Sequence, residues 1–356
     1  MIKGISMLAA ATILGISNVA TGAGPAYADT CSWQAGNHCR AIMHWKVKAI
    51  NGIGEWVKPD YQCFTVTDTS AYFVNSEMWA GYADDEQWIE AGDTVGHPWG
   101  SSVTHFWAEG NDGDYHEYKI PDAATNFPRN FTIDLDSDKK WRVRLDGIVS
   151  GVSTLPGNPA TNADVGMEST DPNARAEAEI AALDYTDTNG GIHNGWNSSN
   201  YHPTSFTRGN FSVGWITKYT DLAVNAQTCT DAPAKLPRAA ESQAAPVTPE
   251  GINRTVSGFL RGNGDLTPER VEAVKTSKSV VELNRNGGTQ NKVPVTIVQA
   301  VGKFTGHQAR LPAGKKIPRG RYLTVTLETA TGNVLDWGIS SRSINLPSLG
   351  MVQRIR

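Results

Sequence analysis

Residues 104–120 read THFWAEGNDGDYHEYKI, and this stretch predicts how the chain folds. Two runs rich in aromatic residues, 104–110 and 115–120, flank Asn-Asp-Gly-Asp at 111–114. These four residues have the composition of a tight turn. The pattern therefore predicts two antiparallel strands joined as a β-hairpin.

Runs of the same kind occur through the first two thirds of the chain. They are short, rich in aromatic residues and Val, and separated by turn residues, which predicts a mainly β domain built as a double-sheet β-sandwich or jelly roll. The alanine content of residues 176–185 also fits a short helix, so both readings stay open there. The predicted strands are residues 44–50, 61–66, 87–92, 104–110, 115–120, 130–135, 141–147, 163–168, 176–185 and 210–216.

A change of composition divides the chain in two. Residues 232–250 are rich in Ala and Pro and have no apolar period, which is typical of an exposed linker. This boundary predicts a β-sandwich domain over residues 29–231 and a small α+β domain over residues 251–356.

The second domain has predicted elements but no catalytic motif. Thr267 followed by Pro and Glu is a typical helix start, with Thr as the N-cap, and predicts a helix to about Ser277. Residues 293–304, 322–328 and 334–340 are predicted strands, and the last two form a hairpin. Three roles remain open for this domain: cell-wall contact, covering of a groove, and propeptide-like inhibition.

The N-terminus has the organisation of an export signal. Lys3 precedes an apolar run at 5–14, and Ala26 and Ala28 form a small-x-small cleavage site. The run is too short to span a bilayer. We therefore expect residues 1–28 to be a signal peptide and the mature protein to be secreted, with no membrane contact after cleavage.

Four cysteines follow the signal segment, and an even number in an exported chain favours disulfides. Three pairings are possible. We favour Cys39–Cys63 and Cys31–Cys229, because Cys229 falls where the first domain ends and the second bridge would join its two ends.

Charge is distributed unevenly. Residues 29–240 carry 15 Lys and Arg against 28 Asp and Glu, a net of −13, whereas residues 241–356 carry 16 against 8, a net of +8. The basic residues are dispersed and form no run, so we expect no nucleic-acid partner. The interpretation that we prefer is docking between the acidic first domain and the basic second domain.

Three predicted strands each place carboxylates on one face, two of them beside Trp. An exposed strand face often carries Glu, but Trp together with acids also fits a groove that binds a polymer and acts by acid–base chemistry. The histidines are scattered and form no HExxH motif, so no metal and no cofactor are expected. The candidate residues are Trp88 and Glu90 on the first strand, His105, Trp107 and Glu109 on the second, and Glu177 and Glu179 on the third.

Several of these stretches resemble a group of exported bacterial proteins related to the eqolisin glutamic peptidases. The resemblance rests on NHC, NSEMWAG, QWIEAG, HFWAEG and YHEY, all between residues 37 and 118. It implies a concanavalin A-like double-sheet sandwich and a catalytic Gln/Glu pair. The family's ILQTG segment places the Gln at Glu90, its AEWIVED segment places the Glu at Glu179, and a W-x-E strand of its groove matches Trp107 to Glu109. It also favours a strand at 176–185.

Glu90 departs from the family's Gln. The related neprosin-type peptidases use a Glu/Glu pair, so the resemblance still implies an acid endopeptidase. Two close carboxylates share a proton over an acidic range. Ionised Glu179 is then expected to act as general base on water, and protonated Glu90 to polarise the scissile carbonyl, with Trp88, His105, Trp107, Glu109 and Glu177 contacting the substrate.

Two other functions use the same residues. A jelly-roll glycoside hydrolase has two carboxylates in a Trp-lined groove, and a lectin-like module binds carbohydrate or peptide without catalysis. The expected partner is accordingly an extracellular polypeptide or polysaccharide. Both enzyme hypotheses require Glu90, Glu109 and Glu179 to converge on one concave face.

Overall fold

We describe a computed structural model of the chain. It describes residues 31, 38–59, 64–82, 86–121, 128–198, 201–227, 247–278, 293–312 and 314–356. The predicted signal segment, Cys63, Cys229 and most of the predicted linker lie outside these residues. In the described part, no helix is long and apolar enough to cross a membrane.

The described elements are twenty strands and one α-helix. In chain order they are β1 (Cys39–Ile50), β2 (Gly52–Pro59), β3 (Phe73–Gly81), β4 (Trp88–Gly96), β5 (Gly100–Asn111), β6 (Asp114–Lys119), β7 (Arg129–Leu135), β8 (Trp141–Leu145), β9 (Ile148–Val152), β10 (Ala160–Ser169), β11 (Ala176–Thr186), β12 (Ile192–Asn194), β13 (Thr204–Arg208), β14 (Phe211–Thr217), β15 (Asp221–Ala226), α1 (Pro249–Gly262), β16 (Arg270–Ser277), β17 (Pro294–Thr305), β18 (Arg319–Glu328), β19 (Val334–Ser340) and β20 (Val352–Arg354).

The strands form two antiparallel sheets packed face to face, which confirms the predicted β-sandwich. The large sheet has the order β13-β1-β10-β3-β4-β5-β6-β19-β18-β17-β16-β20, and the smaller sheet has the order β14-β15-β11-β2-β7-β8-β9. The inner faces bury a core that includes Trp45, Met78, Ile133 and Ile180. The C-terminal strands extend the large sheet, because β19 pairs with β6.

Local patterns account for most of these strands. The predicted hairpin is confirmed as β5–β6, in which Asn111 is opposite Asp114, and Asp112 and Gly113 have φ of 51° and 88°. Positive φ at both central positions is the geometry that suits a two-residue hairpin turn. Residues 176–186 form a strand, because Ala176 and alternate residues after it face the core. In the predicted strand at 61–66, the described residues make only an isolated bridge at Thr65.

The helix prediction for residues 267–277 is wrong. Residues 270–277 form β16, and the helix lies at Pro249–Gly262, where Thr248 is an N-cap that accepts from the Gly251 N–H at 3.1 Å. Thr-Pro-Glu occurs at both places in the sequence. Only the first occurrence is followed by buried residues at helical spacing, namely Ile252, Val256, Phe259 and Leu260.

The predicted cysteine pairing is also wrong. Cys31 bonds to Cys39, eight residues away, so neither can pair with Cys63 or Cys229. A bridge between close positions constrains only a short loop of the unfolded chain. We expect Cys31→Ser to lower the free energy of unfolding by about 2.5 kcal/mol, measured by urea unfolding. An unchanged denaturation midpoint would contradict this.

Candidate functional site

The sequence-predicted site residues do not share one face. In the register of β4 with β5, Glu109 is opposite Ile89, and Glu90 is opposite Ala108. Residues that are directly opposite point to the same side of a sheet. Trp88 and Glu90 therefore lie on the outer face of the large sheet, whereas Glu109 and its strand neighbours at 105 and 107 point into the sandwich. This corrects the predicted groove.

The inward-facing residues are structural. His105 is hydrogen-bonded to Asp93 in the core, and the Trp107 ring stacks on Tyr118 at 4.2 Å between centroids. The Glu109 carboxylate accepts hydrogen bonds from Ser153 Oγ at 2.6 Å and from Thr154 N–H at 2.8 Å. An open cavity of about 330 Å³ reaches Glu109 near the β5–β6 turn, and Asp114, His116 and Arg342 are among its other lining residues.

Glu177 and Glu179 lie on the other sheet. They are on the solvent face of β11, because the alternate residues Ala178 and Ile180 are in the sandwich core. Glu179 is 43% exposed and pairs with Lys58 Nζ at 2.7 Å, and Glu177 accepts from Asn225. The core thus separates Glu179 from Glu90, and the expected Glu90/Glu179 pair does not form. Glu90, Glu109 and Glu179 do not converge on one face, so both enzyme hypotheses fail in the form that required this convergence.

Glu90 instead belongs to another group of acids, which we call the acidic cluster: Glu77, Glu90, Glu117 and Glu168. All four are fully buried on the outer face of the large sheet. The neighbouring strands β10, β3 and β4 carry Glu168, Glu77 and Glu90, whereas Glu117 lies on β6, beyond β5. Glu77 lies opposite Gly166 on one side and Gly92 on the other. A Cβ at Gly92 would lie 2.7 Å from the Glu77 Cβ, so glycine there provides room for the carboxyl.

Glu168 is the member of the cluster whose pKa is lowered. Its Oε1 accepts from Arg40 Nη2 at 2.6 Å and contacts His38 Nδ1 at 2.8 Å, and its Oε2 accepts from the Leu311 N–H at 3.1 Å. Burial alone would raise the pKa of Glu168. The charges of Arg40 and His38, together with these hydrogen bonds, outweigh burial and lower that pKa.

Glu90 and Glu77 are the protonated members. Burial raises the pKa of Glu90 well above 4.5, and the charge of Glu168 raises it further. Burial also raises the pKa of Glu77, with the charges of Glu90 and Glu168 adding to the effect. Trp79 Nε1 donates to Glu90 and Asn75 Nδ2 donates to Glu77, which orients both carboxyls.

The acidic cluster lies beneath residues 306–312, which we call the covering segment. The Arg310 guanidinium forms an ion pair with Glu117, and the Arg310 N–H donates to Tyr115 Oη at 3.1 Å. The Leu311 N–H contact to Glu168 follows at the next residue. Helix α1 and Trp337 pack in the same outer core as Leu311. The covering segment therefore contacts the acidic cluster through the Leu311 N–H, which donates to Glu168, and through the Arg310 side chain, which pairs with Glu117.

Sequence reasoning missed Glu77, Glu168 and the covering segment. Glu77 and Trp79 repeat the W/E alternation of Trp88 and Glu90, so the same pattern could have found Glu77. Glu168 carries no such marker, because the preceding residue on its face of β10 is Gly166. No local signal points to residues 306–312. Within the described ranges, no group of three or more His, Cys, Asp or Glu residues could hold a metal ion.

No family model matches the chain, and no curated protein matches it. Solved structures with a similar fold include scytalido-glutamic peptidase with a peptide-based transition-state analogue (TM-score 0.35) and with a transition-state analogue inhibitor (TM-score 0.36). Another is SCP-B, a member of the eqolisin family of peptidases, in complex with the tripeptide Ala-Ile-His (TM-score 0.33). Each is 8% identical, and each match covers 53% of this chain and 98% of the other. At this identity and TM-score the likeness carries no weight for activity.

Proposed function

We propose that the protein is an exported acid endopeptidase whose catalytic carboxyls are held latent under the covering segment. The observation that carries this proposal is a buried cluster in which the pKa of Glu168 is lowered and that of Glu90 is raised, with the main chain of the covering segment donating to Glu168. Carboxyls whose environments push their pKa values apart are suited to act as a base and an acid.

The two carboxyls have distinct roles in peptide hydrolysis. Glu168 takes a proton from water as the hydroxyl oxygen attacks the scissile carbonyl carbon. Protonated Glu90 donates a hydrogen bond to the developing oxyanion, held in place by Trp79. Collapse of the tetrahedral intermediate breaks the C–N bond, and the proton on Glu168 passes to the leaving amine. The products are a carboxylic acid and an amine.

The contacts favour a polypeptide over a polysaccharide as substrate. Two successive main-chain N–H groups of the covering segment donate to Tyr115 and Glu168. The glycoside hydrolase expected from the sequence relied on the Glu90/Glu179 pair, whose members lie on two different sheets. The Cys31–Cys39 disulfide supports export, because such bonds persist in oxidising compartments.

Acid is the expected trigger for uncovering. Arg310 and Glu117 are fully buried, and Glu117 has a pKa raised by burial, so mild acid protonates it and removes the charge that holds Arg310. Substrate reaches Glu168 only when the covering segment moves. Turnover is therefore expected in acid and absent above neutrality.

We expect Glu168→Gln to lower cleavage of an unstructured polypeptide by about 10²–10⁴-fold, because the amide cannot take a proton from water. Initial rates are measured between about pH 3 and pH 7 on the full chain, with circular dichroism to confirm folding. Glu269→Gln, an exposed residue paired with Arg321, is the matched control and keeps wild-type rates.

Glu179→Gln separates the two assignments of the base. It keeps its activity if Glu168 is the base. Loss of activity in Glu179→Gln, with retention in Glu168→Gln, would contradict the assignment. Absence of cleavage by the wild type at every pH would contradict the proposed activity itself.

A further inference from the structure

The side chain of Arg310 occupies a pocket made by the sheet. Its guanidinium lies over three aromatic rings, at 4.4 Å from the centroid of Phe73, 4.5 Å from Phe106 and 5.2 Å from Trp99. Guanidinium groups bind aromatic faces at such distances through cation–π attraction and stacking. The rings thus provide an apolar surround suited to a planar cation.

Polar groups at the same pocket complete the recognition of a guanidinium. Arg310 Nη1 pairs with the Glu117 carboxylate. Nη2 donates to Thr94 Oγ1 at 2.9 Å and to the carbonyl oxygen of His97 at 3.0 Å. One carboxylate and two neutral acceptors surround the guanidinium group of Arg310. This arrangement matches the planar set of donors of a guanidinium better than the donors of an ammonium.

The pocket belongs to the sandwich, and only its occupant belongs to the covering segment. All six lining residues lie on β3, β4, β5 and β6 or in the turn between β4 and β5. Fully burying an ion pair contributes little net stability compared with an apolar pair of the same shape. Simple packing of the segment therefore does not require a cation at position 310.

The place of Arg310 in the covering segment sets the position of the main chain relative to Glu168. The residue that inserts its side chain, Arg310, donates its own N–H to Tyr115, and the next residue donates to Glu168. A peptide seated in this way has one side chain in the pocket while its main chain lies on the ionised carboxylate. This is the arrangement of a substrate residue in a specificity pocket beside a catalytic group.

We propose that this pocket is a specificity site for a guanidinium side chain, which the covering segment fills as an internal substitute for an arginine-containing polypeptide. The binding of a guanidinium group in this pocket does not depend on catalysis. The role of the pocket in selecting a substrate rests on the proposed function. Arg310 leaves the pocket when the site opens, and an arginine side chain of the substrate takes its place.

Arg310→Ala in the full chain tests the pocket directly. The ligands are N-acetyl-arginine amide and N-acetyl-citrulline amide, which have nearly the same shape but differ in charge. At neutral pH, we expect the arginine derivative to raise the melting temperature of the variant and to bind about tenfold or more tightly than the citrulline derivative. The wild type, whose pocket is filled, responds to neither.

Two further measurements keep the test decisive. The variant Arg310→Ala/Glu117→Gln lacks the carboxylate and is expected to lose the preference for arginine. If Arg310→Ala does not fold alone, refolding with the arginine derivative is expected to restore a cooperative transition, and refolding with the citrulline derivative is not. The proposal would be overturned if Arg310→Ala responded equally to both ligands. It would also be overturned if the wild type responded to the arginine derivative as strongly as Arg310→Ala does. These experiments measure binding and not turnover. An inactive wild-type protein would contradict the proposed peptidase without changing the outcome of the binding test.

Discussion

Replacing Arg310 by methionine is expected to lower the free energy of unfolding by about 3–5 kcal/mol at neutral pH. Methionine fills much of the space between the aromatic rings but cannot compensate Glu117, which is fully buried. Removing one partner of a buried ion pair leaves the other charge without its counterion. Urea unfolding followed by tryptophan fluorescence measures the loss.

A matched control is available on the surface. Arg321 pairs with Glu269, and both side chains are 60% exposed, so Arg321→Met is expected to cost less than about 1 kcal/mol. Adding Glu117→Gln to Arg310→Met is expected to recover more than half of the loss, because the uncompensated carboxylate is gone. Equal costs for the two Arg→Met variants would show that Arg310 does not hold Glu117.

The second large effect is a fall in stability as the pH rises. Burial raises the pKa values of Glu55, Glu77 and Glu90 well above their ordinary value of 4.5. Each stays protonated in the folded state after it has ionised in the unfolded state. Its contribution to stability is therefore complete below pH 4.5 and is lost as the pH rises towards the folded pKa, by about 1.4 kcal/mol per pH unit for each group.

Two fully or almost fully buried groups act in the opposite direction in acid. Burial lowers the pKa of His97 from 6.5 to about 3, so its contribution is lost as the pH falls from 6.5 towards 3. The pKa of Glu168 is lowered, so its contribution is lost as the pH falls below 4.5. Neither His97 nor Glu168 opposes the buried carboxyls above pH 6.5.

Thermal unfolding between about pH 4.5 and pH 8.5 measures this fall. Glu90→Gln removes one titrating group while keeping the shape, so it is expected to reduce the slope by about 1.4 kcal/mol per pH unit between pH 4.5 and the folded pKa of Glu90, and to stabilise the protein at the alkaline end. Glu269→Gln serves again as the exposed control and leaves the slope unchanged. A wild-type stability that rises across this range would contradict the protonated state of the buried acids.

Prediction from sequence succeeded where the signal is local. The β5–β6 hairpin follows from alternation and from turn residues that accept positive φ. The two Thr-Pro-Glu triplets show the limit, because both have a capping residue and only the apolar spacing over the following turns distinguishes them. Alternation correctly places Trp88 and Glu90 on one face of β4. Glu168 was missed because Val and Gly, not Trp, precede it on β10.

Strand alternation and turn geometry act over a few residues, so the sequence alone predicts the mainly β fold, the turn at 111–114 and the face that Trp88 and Glu90 share. Strand order and sheet packing place Glu90 in one buried cluster with Glu168 and on a different sheet from Glu179. A side chain's face depends on the register with neighbouring strands, and a slip of one residue exchanges the two faces. Tertiary packing likewise decided that Arg310, more than 200 residues along the chain from Glu90, lies on the acidic cluster.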